Sequence, residues 1–423
     1  MKNLVIKNGR VIDPANGIDE IRDLFITHGV IADHPSPDAE VIDATDLIVS
    51  PGLIDIHVHF REPGQAHKET IATGTKAAAA GGFTTVVCMP NTTPSVDTPE
   101  TVAWVQQQAA ATGCINVFTT GALSENIAGQ KLAPLEALAT AGVVAFTDDG
   151  RCIQDLKLMR EAVMRVRALG KPIMEHCQDE TLTPKSIMHE GDWNKRLGLA
   201  GWPREAEEII IARDILLAEE TGQPIHCQHI SSGGSIRLLR EARARGVPIS
   251  GEASPHHIIF TDERLKNLDT NFKVNPPLRT QHDIDAILDG IADGTITILA
   301  SDHAPHATFE KEKPIDQAPF GMLGLETELA LFLTILFHQK KLLSLSQLLE
   351  KLTINPSRLL NLHRGTLSLG AIADITLIDP NVAWTYDKET SASLSRNTPF
   401  HGEHFLGRAV RTIVAGKTVW KLK

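Results

Sequence analysis

The sequence predicts an α/β protein: a (β/α)8 barrel with a small β-sandwich built from both termini. Eight strand-like runs recur through the middle of the chain, and helical patterns separate most of them, which is the alternation of a parallel barrel. Both ends instead carry short alternating runs punctuated by turns. A doubly wound open sheet is the structural alternative, but no Gly-x-Gly-x-x-Gly turn or phosphate-loop lysine follows an early strand.

Taken in order, residues 1–50 place turns at Asn8-Gly9, Asn16-Gly17 and His28-Gly29. Residues 48–54 are apolar and β-branched with a Pro51-Gly52 break, so they read as a strand entering the barrel. The eight runs are 53–60, 84–89, 115–120, 143–147, 172–176, 224–230, 247–253 and 296–301. Helical patterns fall at 70–80, 100–111, 156–169, 206–220 and 236–245. The apolar stretch 329–337 is far short of the ~20 residues of a membrane span and reads as a buried helix. From about 366 the chain returns to the style of its N-terminus. Short strands at opposite termini, each without a sheet of its own, pair most simply with one another. The expected domains are therefore 1–50 plus 366–423, and 51–365.

At 423 residues and 42% hydrophobic content the chain can bury a large core. Its net charge of -11, with no run of like charge, argues against nucleic acid or an anionic membrane as partner and favours a small-molecule substrate. Five cysteines, lying singly in apolar segments, read as reduced core thiols of a cytoplasmic protein. The run at 1–9 is too short for a signal peptide.

Function in such a barrel lies at the C-terminal ends of strands, and unusual polar residues gather there. His57 and His59, two apart on a strand, face the same side. Later runs end in Asp148-Asp149, Glu175-His176, His226-Cys227-Gln228-His229 and Ser301-Asp302-His303. Alternation lets only one of Asp148 and Asp149, and one of His226 and His229, point inward; position nearer the mouth favours Asp149 and His229. Asp148, His226, His256, His257 and His303 read as ordinary polar residues or as supports behind the ligands. His57, His59, Asp149, His176, His229 and Asp302 form a set of imidazoles and carboxylates that suits zinc. Six ligands exceed one tetrahedral ion, so one or two ions are expected, with Asp149 the economical bridge. Zinc can lower the pKa of bound water to about 7, which implies metal-assisted hydrolysis. Arg61, on the parity of His59, has the planar fork suited to a carboxylate.

The motifs Asp55-Ile-His57-Val-His59-Phe-Arg61-Glu-Pro-Gly64, Phe146-Thr-Asp-Asp-Gly150, Asn275-Pro-Pro-Leu-Arg279, Ser301-Asp-His-Ala-Pro-His306 and Ala318-Pro-Phe-Gly321 resemble the dihydroorotases of the amidohydrolase superfamily. The resemblance spans nearly the whole chain. It implies a zinc-bearing barrel flanked by a sandwich, and the interconversion of dihydroorotate and N-carbamoyl-L-aspartate in pyrimidine biosynthesis. It also implies a homodimer, with room for association with aspartate carbamoyltransferase. Many superfamily members bridge their metals with a carboxylated lysine. Residues 143–150 hold none, which is similar to the type I dihydroorotases, maps the bridge onto Asp149, and weighs against hydantoinases and allantoinases. Carried over, His59, Arg61, Asn91 and His306 meet the substrate carboxylate end, and Asn275 with the backbone at Phe320 and Gly321 meets the ring. Asp302 acts as base and then acid. A metal-free scaffold supporting the carbamoyltransferase is the non-enzymatic rival, and the filled ligand positions weigh against it. The segment 307–318, rich in charge and proline, reads as a mobile cover over the mouth or as a solvated connection.

Overall fold

In the computed structural model, which describes residues 3–423, the chain is mixed α/β with two all-parallel sheets in its middle. Leu53–Val58, Phe83–Cys88 and Asn116–Thr119 form one parallel sheet. Ile173–Glu175, Ile225–Cys227, Ile249–Ala253 and Ile298–Leu299 form another. Single parallel bridges continue the pairing from Gly121 to Phe146, from Phe146 to Ile173, and from Val58 to His303. The helices Ile71–Gly81, Pro99–Thr112, Leu156–Ala168, Glu205–Thr221 and Gly233–Ala244 lie within a few residues of their expected limits.

Two runs differ from expectation. Residues 143–147 make only the Phe146 bridges, and 296–301 pairs only through Ile298–Leu299. Next to each, a carboxylate accepts from backbone N–H groups. Asp148 accepts from the Leu123 and Ser124 N–H groups at 2.8 and 3.0 Å and from the Ser124 hydroxyl. Asp55 accepts from the N–H of Ser301 at 3.3 Å, from the Ser301 hydroxyl, and from the N–H of His57 at 2.9 Å.

The termini meet. Ile48–Pro51 lies between Arg10–Asp13, which it pairs in parallel, and Ile375–Thr385, which it pairs antiparallel with Ile375 opposite Pro51. Beyond these, His404–Val414, Lys417–Lys421 and Ile18–Ile21 complete a six-stranded sheet. A four-stranded sheet of Val30–Ala32, Leu24–Thr27, Leu4–Lys7 and Glu40–Asp43 packs beside it around Leu4, Ile6, Val11, Ile26, Val49, Ile375 and Ile413. Gly52 then joins Ile48–Pro51 directly to Leu53–Val58. A Cβ there would lie 2.1 Å from the Thr84 hydroxyl, so only glycine lets the two strands run on.

The apolar stretch near 329 is helical and largely buried, as expected, but it widens. Glu328–Phe332 continues as the π-helical Leu333–Gln339, where the Thr334 hydroxyl donates to Ala330 O at 2.7 Å and accepts from Leu406 N–H at 2.9 Å, tying the helix to the strand His404–Val414. No helix among the described residues is long and apolar enough to cross a membrane.

One carboxylate ties three helices together. Asp283, at the start of Gln281–Ala292, accepts from both arms of Arg204 at 2.7 Å, from Thr280, and from Gly233 N–H. Burial alone would raise its pKa, but Arg204 and Thr280 hold it well below the usual carboxylate range. Asp283→Asn is expected to cost about 2 kcal/mol in urea unfolding at neutral pH. Because the folded-state value is depressed, that contribution is present above the ordinary carboxylate range and fades as pH falls through the folded value. The parent and the variant should therefore converge in strong acid; a gap of constant size at every pH would refute this account.

Candidate active site

The run Leu53–Val58 carries His57 into a fully buried position and presents His59 just beyond its end. His57 Nδ1 lies 2.6 Å from Glu252 Oε1, and His59 Nδ1 lies 2.9 Å from Asn91 Oδ1. Each ring therefore donates its Nδ1–H backwards and turns the Nε2 lone pair forwards. Those two Nε2 atoms converge on Asp302 Oδ1, at 3.6 Å from His57 and 3.1 Å from His59. Asp149 Oδ1 is 3.4 Å from His57 Nε2, 3.6 Å from His176 Nδ1 and 3.8 Å from His229 Nε2, while its Oδ2 is 3.6 Å from His59 Nε2. His176 Nδ1 and His229 Nε2 are 2.9 Å apart, and Gln178 Oε1 accepts from the other nitrogen of His176 at 3.0 Å.

This arrangement sets acceptors against acceptors. His57 Nε2 is buried without a hydrogen-bond partner, and carboxylates face it. Only positive charge between them makes the cluster stable. Burial disfavours a charged His57, yet Asp149 and Glu252 outweigh burial and push the imidazole well above its ordinary value. Burial likewise would raise Asp149 and Asp302, but the surrounding imidazoles hold both carboxyls far below the usual range. A divalent ion supplies the same charge. Two overlapping groups, His57–His59–Asp302 and His57–Asp149–His229, bring their ligand atoms within 4.8 Å of one another, so the residues fit a metal.

Three of these residues adopt left-handed backbone: Arg61 at φ +62°, His229 at +33° and Asp302 at +49°. Such conformations cost about 1–3 kcal/mol each and cluster where side chains must be aimed. They matter for His229, because the strand has already ended at Cys227. Position nearer the mouth favours His229 over His226, and it is His229 that faces the cluster, by way of a positive φ. His226 instead lies behind, bonding Ser250 and Glu252.

All the expected site residues except His57 line one cavity of about 290 Å³, a space suited to a small ring. Arg61 is buried; its Nε donates to Pro305 O at 3.0 Å and one terminal nitrogen lies 3.2 Å from His306 Nε2. Asn91 is tied to the ligands, its Nδ2 donating to Asp149 Oδ2 at 3.1 Å. Asn275 Oδ1 is buried with no partner. His306 Nε2 donates to Phe320 O at 2.8 Å. Gly321, at φ +126°, sits where a Cβ would be 2.6 Å from that of Ala304. The five residues expected to be ordinary or supporting stay out of the His–Asp cluster: Asp148 holds its turn, His226 lies behind it as described, His257 Nε2 donates to Pro276 O, the His256 ring lies tilted against that of His257, and His303 Nδ1 accepts from Gly324 N–H. Glu252 was missed. A lone acid inside the strand Ile249–Ala253 carries no motif, and only the fold brings it against His57.

Residues 46–235 match the family described as Dihydro-orotase-like. A protein of Pelotomaculum thermopropionicum named dihydroorotase is 47% identical over 98% of this chain and 98% of its own length. The chain belongs to the dihydroorotase family. A dihydroorotase of Geotalea daltonii is 45% identical over 99% of both chains. Among solved structures, the L-hydantoinase (dihydropyrimidinase) of Arthrobacter aurescens superimposes with a TM-score of 0.88 at 26% identity, covering 100% of this chain and 96% of that one. The dihydropyrimidinase of Brevibacillus agri gives 0.87 at 24% identity, covering 99% of this chain and 95% of that one, a likeness of fold alone. This dihydroorotase-family chain thus shares its overall fold with hydantoinases and far more of its sequence with dihydroorotases.

Proposed function

We infer that this protein is a dihydroorotase, a cyclic amide hydrolase that interconverts dihydroorotate and N-carbamoyl-L-aspartate in pyrimidine biosynthesis. The observation that carries the reading is the convergence of the His57 and His59 Nε2 atoms on Asp302, at the wall of a cavity that also holds the buried fork of Arg61. The parallel bridges from Gly121 through Phe146 to Ile173, and from Val58 to His303, support reading 51–365 as a (β/α)8 barrel. The mixed sheets support reading 1–50 plus 366–423 as a sandwich beside it. A homodimer and association with aspartate carbamoyltransferase rest on family resemblance.

His57, His59 and Asp302 would hold one divalent ion and His176 with His229 a second, Asp149 serving both; the donor set suits zinc. When bound, the metal supplies Lewis acidity toward the ring carbonyl and makes water a usable nucleophile near neutral pH. The protein does the rest. Water oxygen bonds to the ring carbonyl carbon, the carbon–nitrogen bond breaks, and the nitrogen leaves with a proton. Asp302 accepts the proton from the water and returns it to that nitrogen. Arg61, with Nε committed to Pro305, keeps terminal N–H groups for the substrate carboxylate. Asn275 offers its unpartnered oxygen to a ring N–H. An uncharged ring would leave the Arg61 guanidinium unpaired, which disfavours hydantoin or dihydrouracil as substrate.

The test is ring opening by the purified, zinc-supplemented protein, read as loss of ultraviolet absorbance of L-dihydroorotate, with hydantoin, dihydrouracil and allantoin alongside. Activity confined to dihydroorotate is expected. Faster turnover of an uncharged ring would overturn the substrate, and inactivity on all four with metal bound would favour the scaffold.

A further inference from the structure

The segment after His306 was expected to be a mobile cover or a solvated connection, and the fold anchors it instead. Thr308–Lys311 forms a helical turn, and Lys311, read as one charge of the Glu310-Lys311-Glu312-Lys313 run, is buried. Its Nζ donates to Pro319 O at 2.9 Å and to Gly321 O at 3.0 Å. A second buried lysine, Lys273, donates to Ile315 O and Ala318 O, both at 2.6 Å, and lies 4.5 Å from the centre of the Phe320 ring. Among the described residues neither nitrogen meets a carboxylate within ion-pair distance; all four contacts are backbone carbonyls. Cross-ties close the unit: the Thr270 hydroxyl donates to Lys311 O, and Gly321 N–H donates to Lys273 O at 2.8 Å.

The placement of these bonds is informative. Lys311 grips the carbonyls on either side of Phe320, so the Phe320 carbonyl between them is left to meet His306. Lys273 grips the chain just before, and two residues further along its own loop stands Asn275, which shares the cavity with Phe320 and Gly321. Both walls of the ring end of the pocket are thus fixed to each other by two amines. Burial is unfavourable to these charges and drives Lys311 down to about 7 and Lys273 down to about 8. A segment that only connected two elements at the surface would not require them.

We propose that Lys273 and Lys311 are positioning residues that fix the 318–321 backbone and the Phe320 ring against Asn275, and so set the affinity for the cyclic substrate without taking part in proton transfer. This rests on the reading that the pocket opens a cyclic amide.

The test uses the metal-loaded, full-length enzyme and its variants Lys311→Met, Lys273→Met and Lys311→Gln, the last retaining one donor in case a methionine variant does not fold. KM and kcat for dihydroorotate, metal content, and amide hydrogen exchange across the chain are measured. Each methionine variant should raise KM about tenfold or more with kcat within about threefold, unchanged metal content, and faster exchange confined to 312–322; Lys311→Gln should fall between them and the parent. An unchanged KM despite faster exchange overturns the proposal, as does a fall in kcat alone, or faster exchange throughout, which would make the lysines mere supports of the fold. An active parent whose variants do not differ from it sinks this inference alone. A parent silent toward dihydroorotate sinks the functional reading as well.

Discussion

Asp302→Asn is expected to lower kcat by about a thousandfold, since removing a positioned acid–base group costs roughly 10² to 10⁴. The asparagine keeps the shape but can neither take the proton from water nor offset the imidazoles of His57 and His59, which lie 3.6 and 3.1 Å from Asp302 Oδ1. It is a better test than alanine, because position 302 sits at φ +49° and asparagine tolerates the left-handed region. The variant should therefore fold, with a melting temperature near that of the parent. Turnover measured at saturating zinc, with metal content determined on the same sample, separates lost chemistry from lost metal. Retention of more than about a tenth of the parent rate in a metal-loaded sample would remove Asp302 from the proton path.

Glu252→Gln should fail in a different way. Glu252 does not line the cavity; it is fully buried behind His57, with one oxygen 2.6 Å from His57 Nδ1 and 3.3 Å from the His229 backbone N–H, and the other 3.1 Å from His226 Nε2. Burial would raise its carboxyl, but the two imidazoles hold it down at about 2, so it stays an anion and fixes the tautomer that bares His57 Nε2. Partners of this kind are worth about 10- to 100-fold in metal affinity. Chelator competition should show a loss of that size, and excess zinc should restore most of the turnover, which it cannot do for Asp302→Asn. A loss of rate that zinc does not repair would place Glu252 in the chemistry instead.

These two residues also mark how much could be read before the fold was known. Asp302 was legible because Ser301-Asp302-His303 closes a strand-like run, where a barrel puts its reactive groups, and because His57 and His59 share a parity. Glu252 was not, because a single acid among apolar neighbours looks the same whether it faces solvent or a histidine far away in sequence. Lys311 was misjudged for the converse reason: within Glu310-Lys311-Glu312-Lys313 it looks like one more solvated charge, and only the turn at Thr308–Lys311 rolls it inward. The helices were placed to within a few residues because periodicity over three turns averages out local noise. The run at 296–301 was overdrawn because a side chain, not a neighbouring strand, satisfies the backbone of Ser301, and the run at 143–147 pairs with its neighbours only through the bridges of Phe146. Asn91 was expected at the substrate and lines the cavity, yet its amide is spent on His59 and Asp149.

The join at Gly52 bears on the order in which the molecule assembles. Ile48–Pro51 runs straight into the strand bearing His57, yet one of its two neighbours, Ile375–Thr385, is made roughly three hundred residues later. At roughly 5–20 residues per second, a nascent chain would hold that edge unpaired for some tens of seconds. The strand that carries His57 therefore leaves the ribosome long before its anchor exists, and Gly52, with no side chain to seat, is the point about which it waits.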